Sequence, residues 1–248
     1  MIYRSNLTAP DLYPQFKHVA CAPQPGSFGH DVITHWTDKG EDWAMWKKCG
    51  SLTHDEAAIL YNVANRAPDT WVIGEGGGWL DIGANVGWTT AHISEAGSIV
   101  LALDPMFFWP EWVERFRENM RLNIPPVALI SRDYFGNPNL ALVRYDGVMI
   151  DGDHGWGNPL YDAQQSAAHL KDTGVIVFHD FIGGPVQEAV VWLMDNGFKA
   201  RVYYTPFMMA VCWRGNFTPP DHRPDPNLPD MQERSRSESF SFPFERLV

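Results

Sequence analysis

The sequence is poor in cysteine and in basic residues, and it has no long apolar run. Its three cysteines, Cys21, Cys49 and Cys212, are far apart and odd in number, so neither a disulfide framework nor a zinc motif is expected. A reducing compartment is then the default, and the expected location is the cytoplasm. No apolar stretch approaches the roughly 20 residues that cross a bilayer. The opening residues, MIYRSNLTAPDLYPQF, lack the compact apolar core of a secretory signal. A membrane partner is therefore not expected. Lys and Arg number 19 against 30 Asp and Glu, which leaves a net charge of −11, and no basic run exceeds Lys47-Lys48. Holding a nucleic acid requires cations that displace its counterions. That class of partner is not expected either, and a small, near-neutral molecule fits better.

What is present is an alternation of short apolar strands and helices. Residues 1–66 form an N-terminal helical or lid region, 67–215 a β/α core, and 216–248 a proline-rich tail. The first region ends in a helix beginning near Thr53, where Thr53 and Glu56 have capping-box spacing and Ile59, Leu60, Val63 and Ala64 follow at helical intervals. In the core, strands are expected at 79–82, 98–103, 127–131, 147–150 and 175–178. Helices are expected from Gly87 and over 111–123, 160–171 and 186–195. Short, fully apolar strands separated by helices imply a buried parallel sheet. The segments 199–204 and 208–213, joined through Thr205-Pro206-Phe207, read as an antiparallel hairpin. In the tail, Pro219, Pro220, Pro224, Pro226 and Pro229 preclude a helix. The aromatic stretch Phe240–Phe244 is expected to pack on its own domain or on a second subunit, which would make a homo-oligomer through the tail. Trp36, Trp43 and Trp46 are candidates for an acceptor pocket.

The first informative stretch is Trp79-Leu80-Asp81-Ile82-Gly83-Ala84-Asn85-Val86-Gly87. An apolar strand ends in an acid, turns through glycine and enters a helix, and ligands of open α/β sheets bind beside such a turn. The spacing Asp81, Gly83, Gly87 resembles motif I of class I methyltransferases. A dinucleotide fingerprint would read Gly-x-Gly-x-x-Gly instead. The resemblance implies S-adenosylmethionine (SAM), whose ammonium and sulfonium suit the carboxylate of Asp81. It also implies a Rossmann-like α/β fold with a seven-stranded, mostly parallel sheet closed by a C-terminal antiparallel hairpin. Asp104 ends the second strand, where an acid can accept hydrogen bonds from both ribose hydroxyls. Asp81, Gly83, Asn85, Gly87 and Asp104 are thus candidate cofactor residues, with Ser131 and Asp133 on the adenine side.

The second stretch is Asp151-Gly152-Asp153-His154-Gly155-Trp156, with Val175-Ile176-Val177-Phe178-His179-Asp180 on the next strand. Neighbouring strands lie about 4.8 Å apart, so Asp151, His179 and Asp180 meet at one spot and form a candidate divalent-metal site. The alternative is that the two acids cap helices and that His179 is a core histidine. Together with Asp162 and Leu170-Lys171-x-x-Gly174, these residues resemble the cephalosporin hydroxylase/macrocin O-methyltransferase group. The resemblance spans about residues 76–215, with departures at Trp156, Gly157-Asn158-Pro159, Asp172-Thr173 and the His-Asp pair. It implies a Mg²⁺-type ion (Mg²⁺ or Mn²⁺) on Asp151, His179 and Asp180, a catalytic base at His154, and an acceptor hydroxyl on a sugar or other small natural product. The chemistry needs such groups, because an alcohol is a poor nucleophile until a cation steadies its developing charge and a base takes its proton. Two other readings remain open at this level. One is a nicotinamide-dependent oxidoreductase, and the other is a non-catalytic SAM-binding or scaffold protein.

Overall fold

A computed structural model describes residues 6–10, 12, 16, 52–67, 77–140, 143–224 and 240–248. Trp36, Trp43, Trp46, Cys21 and Cys49 lie outside the described residues. The chain order is α1 (His54–Arg66), β1 (Trp79–Ile82), α2 (Trp88–Glu95), β2 (Val100–Leu103), α3 (Pro110–Asn119), β3 (Pro126–Val127), α4 (Ser131–Phe135), β4 (Tyr145–Ile150), α5 (Asn158–His169), β5 (Leu170–Phe178), α6 (Gly184–Asp195), β6 (Lys199–Tyr203) and β7 (Met209–Trp213). The strands form one seven-stranded sheet in the order β3-β2-β1-β4-β5-β7-β6. β1 to β5 pair in parallel, while β7 runs antiparallel to both β5 and β6. This is the mostly parallel sheet with a closing hairpin that the sequence implies. Among the described residues, no helix is long and apolar enough to cross a membrane.

Side chains that alternate along the central strands build a core on each face of the sheet. Met149, Val175 and Val177 face Ile59, Leu60 and Val63 of α1 and Trp88 and Ile93 of α2. Leu80, Val148, Ile150, Ile176 and Phe178 face Val186, Val190 and Leu193 of α6. Each of these buried aliphatic side chains contributes roughly 1.5–3 kcal/mol. The α1 helix starts as its capping box requires. The Thr53 backbone N–H donates to Glu56 Oε2 at 2.8 Å, and the Glu56 N–H donates to the Thr53 hydroxyl.

Several boundaries differ from expectation. The third strand is only two residues long, and Ser131 opens helix α4 where the sequence suggested the end of a strand. Helix α3 stops at Asn119, four residues early, and α5 gives way to β5 at Leu170, which is five residues before the expected strand. The β5 extension is exposed at Asp172 and Thr173, so it carries no apolar signal to reveal it.

The aromatic end of the tail lies on its own domain. Phe242 is buried edge-on against Phe181, Arg246 pairs with Asp195 at 2.7 Å, and the Val248 N–H donates to the Ala200 carbonyl at 3.0 Å. Farther upstream, the Tyr203 hydroxyl donates to the Pro220 carbonyl, and His222 Nε2 lies 2.7 Å from Asp55 on α1.

Candidate active site

The order of strands reverses direction between β1 and β4, and a crevice opens there at the carboxyl ends of the strands. It is a cleft of about 330 Å³, within the size range of small-molecule sites. Ile82 at the end of β1, Gly83 after it, Asp104 after β2 and Asp151 after β4 form its floor, while Ser131 of α4 and Asp162 of α5 form a wall.

The floor depends on a turn that only glycine can make. Gly83 sits at φ +88°, and a Cβ there would run into the Asp151 carbonyl. The β1 turn and the end of β4 are therefore in backbone contact. Two residues on, Asn85 adopts φ 48° and donates its N–H to Asp104 Oδ2 at 2.8 Å. The Met106 N–H donates to Asp104 Oδ1 at 2.7 Å. Asp104 is thus fixed by one backbone donor on each oxygen, and each oxygen keeps accepting capacity. Burial raises its carboxyl above the ordinary value, an effect that the two N–H donors oppose.

The structure brings Gly83, Asn85, Asp104 and Ser131 into the cleft lining but not Asp81, Gly87 or Asp133. Asp81 is fully buried and accepts the hydroxyls of Thr89 and Thr90 at 2.6 and 2.5 Å. Burial pushes its carboxyl up to about 7, despite those two donors. It braces the turn from below. Gly87, at φ +94°, leaves room for Phe116 and Met120 of the neighbouring α3 segment. Asp133 is exposed on α4. The acid that does face the cleft from that side is Asp162, which lies one helix later. It is buried, its Oδ1 has no hydrogen-bond partner, and burial pushes its carboxyl up to about 6 while the nearby Ser131 hydroxyl opposes the shift. The sequence showed Asp162 only as part of a resemblance. A lone acid on a helix gives no other signal of its aim.

Beside the cleft stands the second group of residues. Asp151, His154 and Asp180 each offer a ligand atom, all within 4.8 Å of one another. His154 Nδ1 lies 3.3 Å from Asp180 Oδ2, and its Nε2 lies 3.8 Å from Asp151 Oδ1. Asp180 adopts φ 52°, a left-handed conformation that Asp tolerates better than most residues. The structure brings His179 to the two acids, as the strand order leads one to expect, and places His154 beside them as well. His179 is completely buried behind the acids. Its Nδ1 lies 3.1 Å from Asp151 Oδ1 and 3.4 Å from Asp180 Oδ2, and its Nε2 faces Glu56 Oε2 of α1 at 3.5 Å. That last contact is an ion pair rather than an aligned hydrogen bond. Burial alone would lower the imidazole's pKa, but the carboxylates of Asp180 and Asp151 outweigh it and hold the ring well above its ordinary value. Glu56 is the partner that sequence reading missed, because its capping-box role already accounted for it.

No family model matches the chain, and no curated protein matches it. Solved structures do. The O-methyltransferase TomG from Streptomyces achromogenes, in complex with SAM, aligns with a TM-score of 0.50 at 12% identity, over 67% of this chain and 83% of that one. Precorrin-6y C5,15-methyltransferase from Geobacter metallireducens aligns at 0.49 with 19% identity, covering 65% and 89%. Cofactor-bound Rv0187 from MTB aligns at 0.47 with 19% identity, covering 77% and 98%. At 12% identity the likeness to TomG speaks for architecture and not for substrate, and together with the strand order it gives the chain the class I methyltransferase fold.

Proposed function

We propose that the protein transfers a methyl group from SAM to a hydroxyl of a small molecule with the help of a divalent ion. The observation that carries this reading is the position of Asp151. It lines the cleft and also belongs to the Asp151/His154/Asp180 group, so one residue joins a cofactor-sized cavity to an ion-sized cluster.

The residues suit both groups. Asp104 has one oxygen available for each of two neighbouring ribose hydroxyls, and Gly83 lets the ligand approach the backbone closely. Bound there, SAM would supply an activated methyl on a sulfonium. The carboxylates of Asp151 and Asp180 are fitting oxygen donors for Mn²⁺ or Mg²⁺. A cation held there would stabilise negative charge as it develops on the acceptor oxygen. A hydrogen on His154 Nδ1, directed at Asp180, leaves Nε2 as the basic atom, and Nε2 has no hydrogen-bond partner. Nε2 would take the acceptor's proton as the methyl moves in line from sulfur to oxygen, leaving a neutral thioether and a methyl ether. A second reading, favoured by the 4.8 Å grouping, makes His154 a third ion ligand. Mn²⁺ affinity in His154→Ala separates the two, because a base can be lost without changing it and a ligand cannot.

The test of the whole is calorimetry with S-adenosylhomocysteine, followed by an acceptor screen with and without EDTA. Binding of the cofactor product, together with turnover that EDTA stops and Mn²⁺ or Mg²⁺ restores, is the expected result. Failure to bind it removes the methyltransferase reading, and full activity in EDTA removes only the ion.

A further inference from the structure

The most unusual buried group lies outside the β/α core, on the N-terminal helix. Glu56 is completely buried, yet it is an acid, and a buried carboxylate is costly unless it is fully bonded. Its Oε2 accepts the Thr53 N–H and hydroxyl at 2.8 and 2.9 Å. Its Oε1 accepts the Thr205 hydroxyl at 2.7 Å and the Phe207 N–H at 3.0 Å. A capping-box glutamate needs only the first of these sets. The turn between β6 and β7 supplies the second, and the His179 ring, also completely buried, closes the arrangement from the end of β5. Burial alone would raise the Glu56 carboxyl, but the facing His179 ring and the surrounding donors outweigh burial and hold it below its ordinary value.

Three elements of the chain thus converge on one imidazole that reaches no solvent. Its other nitrogen touches both acids of the ion cluster. Among the described residues, Nδ1 thus lies against Asp151 and Asp180 while Nε2 faces the carboxylate of Glu56 on the opposite side of the ring. A ring held on one side alone could turn about its χ2 bond and release the acids.

Building on the ion site proposed above, we propose that Glu56 is a positioning residue for that site: it holds His179 so that the ring fixes the carboxylates of Asp151 and Asp180 for a divalent cation. The α1 helix is then part of the active site's support and not merely a cover for the sheet. The arrangement extends the common pairing behind metal sites by one step: the group that touches the proposed ligands directly is His179, and loss of such a partner costs about 10- to 100-fold in metal affinity.

The experiment is a Mn²⁺ titration of the full chain, followed by electron paramagnetic resonance, with S-adenosylhomocysteine affinity measured in parallel. Glu56→Gln should weaken Mn²⁺ binding by up to about tenfold, less than His179→Asn does, and leave the affinity for S-adenosylhomocysteine within about twofold. Val63→Ala is the control. It loosens the packing of α1 on the sheet and should lower Tm, but should leave Mn²⁺ binding unchanged. The double variant Glu56→Gln/His179→Asn should lose little beyond His179→Asn alone, because both act through one ring. Wild-type Mn²⁺ affinity in Glu56→Gln overturns the proposal, as does an equal loss in Val63→Ala, which would mean general loosening. If Glu56→Gln does not fold, His179→Asn carries the test, and unchanged Mn²⁺ affinity there overturns it too. A wild type that binds S-adenosylhomocysteine but no Mn²⁺ removes the ion site itself, and Glu56's role with it.

Discussion

Asp104 and His179 both sit at strand ends on the same side of the sheet, but they are held in place differently. Asp104 is fixed by backbone N–H groups from its own turn and from the adjacent β1 turn. His179 is fixed by side chains from α1, β4 and its own β5. The proposed cofactor end is therefore made of local backbone geometry, and the proposed ion end of long-range side-chain contacts. A backbone-built cradle is difficult to damage except at its glycines and its one acid, whereas a side-chain cluster offers a point of failure at each member.

The largest expected effect tests the ion end. His154→Ala should lower kcat by about 10²- to 10⁴-fold, as loss of a general base does, while S-adenosylhomocysteine still binds. A near-normal kcat would leave a site that works by positioning alone. Next comes the cofactor end. Asp104→Ala should weaken SAM binding by at least about tenfold, or about 1.4 kcal/mol, with Mn²⁺ affinity unchanged; calorimetry reads the first and paramagnetic resonance the second. If both variants lose both ligands, the two ends are not separate. The smallest effect concerns Asp81. Its carboxyl is raised to about 7 in the folded protein, so between about pH 4 and 7 the unfolded chain has lost a proton that the folded one keeps. Stability should therefore fall as pH rises through that window, with a slope approaching about 1.4 kcal/mol per pH unit. Urea denaturation of Asp81→Asn should show a flatter profile, since an amide can still accept both threonine hydroxyls but does not ionise. An unchanged slope would assign the pH dependence elsewhere.

The same contrast explains what could be read from the sequence. The turn Asp81–Gly87, the acid at Asp104 and the apolar strands are contiguous signals, since each depends on neighbours within a few residues. The meeting of Asp151 with Asp180 also followed from strand order, because parallel neighbours place their ends together. The partnership of Glu56 with His179 did not follow, because it depends on how α1 lies across the sheet, and no local pattern encodes that. Nor did the approach of His154 to Asp180, which depends on the course of the loop after β4. Helix α4 was hidden because Ser131–Phe135 is too short to show a period.

The bond from the Val248 N–H to the Ala200 carbonyl has a consequence for how the protein behaves in a crowded solution. β6 is the edge strand of the sheet, and an open edge invites another chain to add itself. The tail occupies part of that edge, Arg201 Nε also donates to the Val248 carbonyl at 3.3 Å, and the strand at the opposite margin, β3, is only two residues long. Removing residues 240–248 should thus uncover both a sheet edge and the aromatic surface beneath Phe242. The loss should appear as concentration-dependent aggregation in light scattering rather than as a change in the chemistry of the cleft.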